Sequence, residues 1–307
     1  MKKSIKISAL IISTALLFSG CAHKTHSEST VSASFYPIYL ISSFIADGSG
    51  LEIKNTASPQ TGCLHDYQLT TGNIRQLAQS DVLIINGGGM EDAFVEKASE
   101  NENIKIIDSS AHFEEHEHEE HEEHENEEEA SDGHDHDHGE NSHYWMSLSH
   151  AQMQAEEIAQ GLSQIHPEKA LQFENNLEIF KANCRKLSEK YSFSSYNTAN
   201  VISFHEAFEY LCEENNVNIV KTFEIDENSV PSARELADAV DEGIKHNVSA
   251  VICADDSGKA YARTTADELG VPLVVLNPIT YVNEETASYF EAMDKNFSLL
   301  KEVFKND

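Results

Sequence analysis

Positive charge is what this 307-residue chain lacks. Only 21 Lys and Arg stand against 53 Asp and Glu, for a formal charge of −32. Such a balance repels phosphate backbones and argues against nucleic acid as a partner, while it favours cations. Cysteine is scarce as well. Cys63, Cys184, Cys212 and Cys253 follow Cys21 without any CxxC spacing, so neither a cysteine zinc site nor a dithiol redox motif is indicated. An oxidising exterior permits disulfides, but the sequence pairs none of the four, and buried unbridged thiols are the simpler expectation. There is no HExxH. Gly87-Gly88-Gly89 lacks the Lys-Ser/Thr of a phosphate loop and reads as a tight turn. Long apolar runs are missing too: Ile7 to Phe18 is too short to span a membrane.

That short run, preceded by Lys2, Lys3 and Lys6, has the layout of a signal segment covering residues 1–21. It ends in Leu17-Phe18-Ser19-Gly20-Cys21, which resembles a bacterial lipobox. The resemblance implies cleavage before Cys21, lipid on its sulfur, and a chain anchored to the extracytoplasmic face of the cell membrane. Residues 22–31, small and polar, read as a tether.

What the chain has in excess is histidine among acids. Residues 112–140 hold His112, His116, His118, His121, His124, His134, His136 and His138, with fifteen Glu or Asp and no Lys or Arg. Neutral imidazole is the commonest ligand for zinc-like metals, and carboxylates add attraction. A tract of this composition cannot bury a core, so it reads as a solvated, weak, multi-site collector of divalent metal. The bland alternative is an acidic linker.

Elsewhere short apolar strands alternate with helical runs. Strands are expected at Val31–Phe35, Leu51–Thr56, Val82–Asn86, Ile104–Asp108, Asn200–Ser203, Ile219–Thr222, Ala250–Cys253 and Leu273–Leu276. Between them lie helical runs at Asn73–Ser80, Asp92–Glu100, Glu206–Asn215, Ser232–His246, Ala260–Leu269 and Asn283–Phe304, with Pro231 and Gly270 as punctuation. Around Ser149 to Tyr191 the period is helical without strands: Ala151, Ile158, Leu162 and Ile165, then, after Pro167, Leu171, Leu177, Phe180, Cys184 and Leu187. The second run predicts a helix of about five or six turns. The fold class is therefore α/β: two parallel-sheet lobes (32–165 and 196–307) joined by a long rigid connector helix (166–195), with a metal cleft between them at the carboxyl ends of the strands.

Three histidines stand outside the acidic tract at places expected to face this cleft. His65 follows the second strand, His143 precedes the connector region, and His205 ends the first strand of the second half. His65-Asp66-Tyr67, His143-Tyr144-Trp145-Met146-Ser147 and Phe204-His205-Glu206-Ala207-Phe208-Glu209-Tyr210-Leu211 resemble the motifs of the zinc-binding lipoproteins of cluster A-I ABC transporters, the ZnuA/AdcA type, and the match runs from lipobox to last helix. This resemblance implies an extracytoplasmic solute-binding receptor, not an enzyme. It would capture Zn2+ as transported cargo on His65, His143 and His205, and pass it to an ABC permease with its ATPase. A monomer is expected.

Three neutral imidazoles suit zinc better than manganese. At the fourth position the family's carboxylate is replaced: Leu276-Asn277-Pro278-Ile279-Thr280 places Thr280 there. Water, Thr280, Asp255 and Asp256 stand as alternatives for the fourth ligand. Asp66 and Glu206, beside ligand histidines, are expected to accept from imidazole N–H groups. His150, His166 and His246 are expected on helix surfaces. Three histidines and a water would also suit a hydrolytic zinc, with Glu206 as the one obvious base. A manganese or other divalent-metal lipoprotein, an adhesin or a storage protein is the remaining alternative.

Overall fold

The computed structural model describes residues 29–58, 64, 67–113, 141–223, 225, 230–255, 258–281 and 287–304. His65, Asp66, Cys63, Asp256, Cys21 and the tract histidines from His116 to His138 lie outside these residues.

Valine- and isoleucine-rich stretches form the strands. In the first sheet β1 (Val31–Ala33), β2 (Ile53–Asn55), β3 (Val82–Ile85) and β4 (Lys105–Asp108) run in the order β2-β1-β3-β4. The second sheet places β5 (Ala199–Ser203), β6 (Val217–Thr222), β7 (Ala250–Cys253) and β8 (Leu273–Val275) in the equivalent order β6-β5-β7-β8. Every pairing is parallel, so each connection is a crossover and the helices cover the sheet faces. The two lobes thus repeat one topology, as the alternation of elements implied. In both, the strand order reverses next to the first strand, between β1 and β3 and between β5 and β7; that is where α/β sheets open a crevice.

The crossover helices are α1 (Tyr36–Ala46), α2 (Thr71–Leu77) and α3 (Asp92–Ser99) on the first lobe. After these come α4 (Leu148–Ile165) and α5 (Ala170–Lys190), then α6 (Glu209–Glu213), α7 (Ala233–Lys245), α8 (Lys259–Leu269) and α9 (Tyr289–Leu300). Helix α7 starts on a capping box in which Ser232 and Glu235 satisfy each other's backbone N–H groups. Gly270 ends α8 in the left-handed conformation, at φ 69°.

Helix α5 is the connector. At 21 residues it is about 31 Å long. Pro167 separates it from α4, against which it packs. Its buried face is Phe173, Asn176, Phe180, Cys184 and Leu187, whereas Leu171, expected in the apolar run, is 70% exposed. Phe180 joins Phe44 of α1 and Phe290 of α9, with ring centroids 5.3 and 4.8 Å away. Both lobes therefore meet on one aromatic side chain of the connector, and each such ring pair adds about 0.5–1.5 kcal/mol beyond its buried area.

The core is continuous across this junction. A single apolar cluster runs from Val31, Ile41 and Ile84 through Ile158 and Phe180 to Val201, Ile252 and Phe297. A second cluster, including Ile202, Phe204, Val251 and Cys253, covers the other face of the second sheet. Val201 and Ile202 fall in different clusters because successive strand residues point to opposite faces. No helix among the described residues is long and apolar enough to cross a membrane.

Candidate metal site

Two short turns carry the two described histidines of the predicted set. His143 precedes the 3-10 turn Tyr144–Met146, and His205, two residues past the end of β5, precedes the 3-10 turn Glu206–Phe208. The fold brings them edge to face, with ring centroids 5.8 Å apart and planes at 84°. Two imidazoles on one tetrahedral zinc, with Zn–N of about 2.0–2.1 Å, hold their centroids roughly 5 Å apart, so the pair lies close to ligand spacing. His143 is fully buried against Trp145, centroid to centroid 5.1 Å; His205 is partly exposed and packs on Phe208.

The tautomer of His143 follows from its neighbour. Asn141 Nδ2 donates to the Glu206 carbonyl at 3.1 Å and to Glu209 Oε2 at 2.8 Å, which turns Asn141 Oδ1 toward His143. That oxygen accepts from the His143 backbone N–H at 3.0 Å and lies 2.8 Å from Nδ1. An acceptor facing Nδ1 places the proton there and leaves the Nε2 lone pair as the metal-binding one. Tyr210 donates its hydroxyl to the Asn141 carbonyl at 2.6 Å. Asn141 was missed by sequence reasoning; its position two residues before His143 was the only hint. Glu206, expected to accept from an imidazole, lies 3.5 Å from His143 Nδ1, farther than Asn141.

His205 stands differently. Its Nδ1 accepts the Ala207 backbone N–H at 3.1 Å, so the ring caps its own turn. In this state Nε2 carries the proton of the neutral ring, and binding metal there requires the ring to give up the cap or the proton.

The segment proposed for the fourth position is tightly held. Trp145 Nε1–H donates to the Pro278 carbonyl at 2.8 Å, Ile279 N–H to Asn277 Oδ1 at 2.7 Å, and Asn296 clasps Asn277 through two bonds. Ile279 is buried at φ 63°, a left-handed conformation that a β-branched residue adopts only under strain. Thr280 follows it and is buried. Asp255 is 60% exposed and its carboxylate pairs with Lys259 at 2.7 Å on the surface. Among the described residues no three His, Cys, Asp or Glu side chains are gathered as a metal-ligand set; the pair His143–His205 is what the fold assembles.

Other expectations are corrected. His150 is not a surface residue: it sits between Phe113 and Tyr210, with centroids 5.3 and 4.6 Å away, because Phe113 and Tyr144 close over the start of α4. His166 caps the end of α4 with its side chain 14% exposed, while His246 does lie on the surface beside Glu242. His112 opens the predicted tract but belongs to the folded lobe, with Nδ1 2.7 Å from Glu157 Oε1. Cys184, Cys212 and Cys253 are buried thiols; burial pushes the Cys184 thiol up to about 12 and that of Cys212 well up, in keeping with inert packing.

Residues 31–303 match the ZnuA family, described as the periplasmic component A of a zinc-uptake complex. A zinc-binding lipoprotein AdcA of Streptococcus pneumoniae is 25% identical over 97% of this chain, which spans only 61% of that relative's length. The high-affinity zinc uptake system protein ZnuA of Haemophilus ducreyi is 34% identical over 74% of this chain and 75% of its own. Among solved structures, a manganese-bound periplasmic metal-binding protein of Candidatus Liberibacter asiaticus superposes with a TM-score of 0.74 at 17% identity, over 90% of this chain and 99% of its own. The nickel complex of FpvC from Pseudomonas aeruginosa does so with a TM-score of 0.72 at 21% identity, over 91% and 97%.

Proposed function

Because the chain belongs to the ZnuA family of zinc-uptake components, we propose that it captures Zn2+ outside the cell and delivers it to an ABC permease, acting as a binding protein rather than an enzyme. Its relatives' names carry zinc and uptake, and the His143–His205 pair carries the reading on this chain. His65, which follows β2 in the sequence, is the third ligand in this proposal, and water completes the tetrahedron where Thr280 replaces a carboxylate. With no carboxylate contributed by that segment, the donor set is neutral and nitrogen-rich, which favours zinc over manganese. Lipid on Cys21 anchors the receptor at the membrane, and the acidic, histidine-rich tract raises the local metal concentration.

Capture proceeds from the exposed side. His205, the more accessible ring, takes the ion first and yields its hold on Ala207 N–H; His143, already oriented by Asn141, then supplies Nε2. Protonated imidazole cannot bind metal, so affinity falls as pH drops through the histidine range. Zinc titration calorimetry on the chain lacking residues 1–21, with His143→Ala and His205→Ala alongside, tests the reading. One tight site that weakens greatly in both variants is expected. Tight binding unchanged in either variant rejects the assignment.

A further inference from the structure

The crevice where the first sheet reverses its strand order is filled by the protein's own carboxylate. Glu91 is 2% exposed. Its Oε1 accepts from the Ser34 hydroxyl at 2.7 Å, just past β1, and from the Asn86 N–H at 2.7 Å, just past β3; its Oε2 accepts from the Gly87 N–H at 3.1 Å. From there the bonds lead to the metal site. Asn86 Nδ2 donates to the Ser142 carbonyl at 2.8 Å, and Ser142 is bonded to His143. Asn86 Oδ1 is fixed by Gln154 Nε2 at 2.8 Å, so the amide has one orientation. The same turn also presses on the His143 segment directly. Gly88, at φ 62°, lies so close that an added Cβ would come within 2.7 Å of Ser142 Cβ and the Tyr144 hydroxyl.

We propose that Glu91 is a positioning residue for the zinc site: it holds the Asn86–Gly87 turn, and through the Asn86 side chain it fixes the peptide that carries His143. A carboxylate is costly to bury, and apolar side chains fill sheet crevices without that cost. Burial pushes this one up to about 7 even with three donors on it, and the charge of Asp108 at the end of β4 adds to the rise. What the carboxylate supplies in return is a rigid three-donor anchor at the base of the first-lobe half of the site. Groups bonded directly to a metal ligand typically change affinity on the order of 10- to 100-fold when lost, and this link, which acts through the Ser142–His143 peptide, belongs at the low end of that range.

This proposal rests on His143 and His205 as zinc ligands. The test is zinc affinity by chelator competition, with the visible spectrum of bound Co2+ as a report of coordination geometry, on the full chain lacking only residues 1–21. Glu91→Gln keeps volume and one acceptor oxygen; Asn86→Ala cuts the link to Ser142. Ser80→Ala removes a buried hydrogen bond to Ser32 at the opposite end of the same sheet and serves as the stability control. Expected is a loss of affinity of about tenfold or more, with an altered Co2+ spectrum, in both Glu91→Gln and Asn86→Ala but not in Ser80→Ala. Affinity within twofold and an unchanged spectrum overturn the proposal. So does a loss that merely follows lowered stability, equal in Ser80→Ala. If Glu91→Gln does not fold, Asn86→Ala decides alone. If His143→Ala and His205→Ala leave zinc binding intact, the site reading itself fails and the positioning role falls with it.

Discussion

Glu91 makes a prediction about stability that is independent of zinc. Its carboxyl titrates near 7 in the folded chain, against 4.5 for an ordinary glutamate, because burial outweighs the three donors. A group whose folded value is raised binds its proton more tightly when folded. The stability it contributes is thus full below pH 4.5 and is lost as pH rises through about 7. The difference is about 2.5 units, and at 1.36 kcal/mol per unit this amounts to about 3 kcal/mol across that window. Glu91→Gln has no such titration. Histidines and other carboxylates titrate in both proteins, so they cancel when the two are subtracted. Urea unfolding of the zinc-free chain at pH 5, 6, 7 and 8, a window that opens just above the unfolded value, should therefore show the parent losing about 2.5 kcal/mol relative to the glutamine variant as pH rises. Parallel stability curves for the two proteins would refute the argument, and with it the buried, proton-hungry carboxyl.

Three further outcomes are expected. Trp145→Phe leaves the buried Pro278 carbonyl without its indole donor and should cost about 1–3 kcal/mol in unfolding; an unchanged midpoint would contradict the role given to that bond. Gly88→Ala and Gly89→Ala carry the same left-handed backbone cost, at φ 62° and 77°, but only the former drives a Cβ into Ser142 and Tyr144. Zinc affinity, read by chelator competition, should fall in Gly88→Ala and stay near the parent value in Gly89→Ala; equal effects would mean the turn does not press on the site. Removing residues 114–140 while keeping Phe113, whose ring packs 4.7 Å from Tyr144, should leave the tight zinc site and abolish several weak ones in calorimetry. Loss of the tight site would place the tract within it.

Much of the fold was legible because its strands are short runs of Val and Ile bounded by polar residues, and parallel sheets buried on both faces write themselves that way. Val82–Ile85 and Ala250–Cys253 are the clearest examples. Helix α1 was not legible. Tyr36–Ala46 is buried on most of its surface, so its apolar residues show no helical period, and it read as nothing in particular beside the strand before it. The motif histidines stood out because the residues around them resemble those of a known zinc-binding family. Asn141 and Glu91 did not, since a lone Asn beside a polar tract and an acid before a helix are ordinary in sequence. Their importance comes from which backbone groups the folded chain turns toward them, and that is settled by tertiary placement alone.

Asn141 has a mechanical meaning. One oxygen of its side chain holds the His143 ring, its nitrogen holds the Glu206 and Glu209 end of the second lobe, and its carbonyl holds Tyr210. It is also the residue that follows the acidic, histidine-rich tract in sequence. A change that breaks the bonds of Asn141 therefore loosens the His143 turn and the Glu206–Tyr210 turn together. Asn141 is thus a single lever with both jaws of the histidine pair on it.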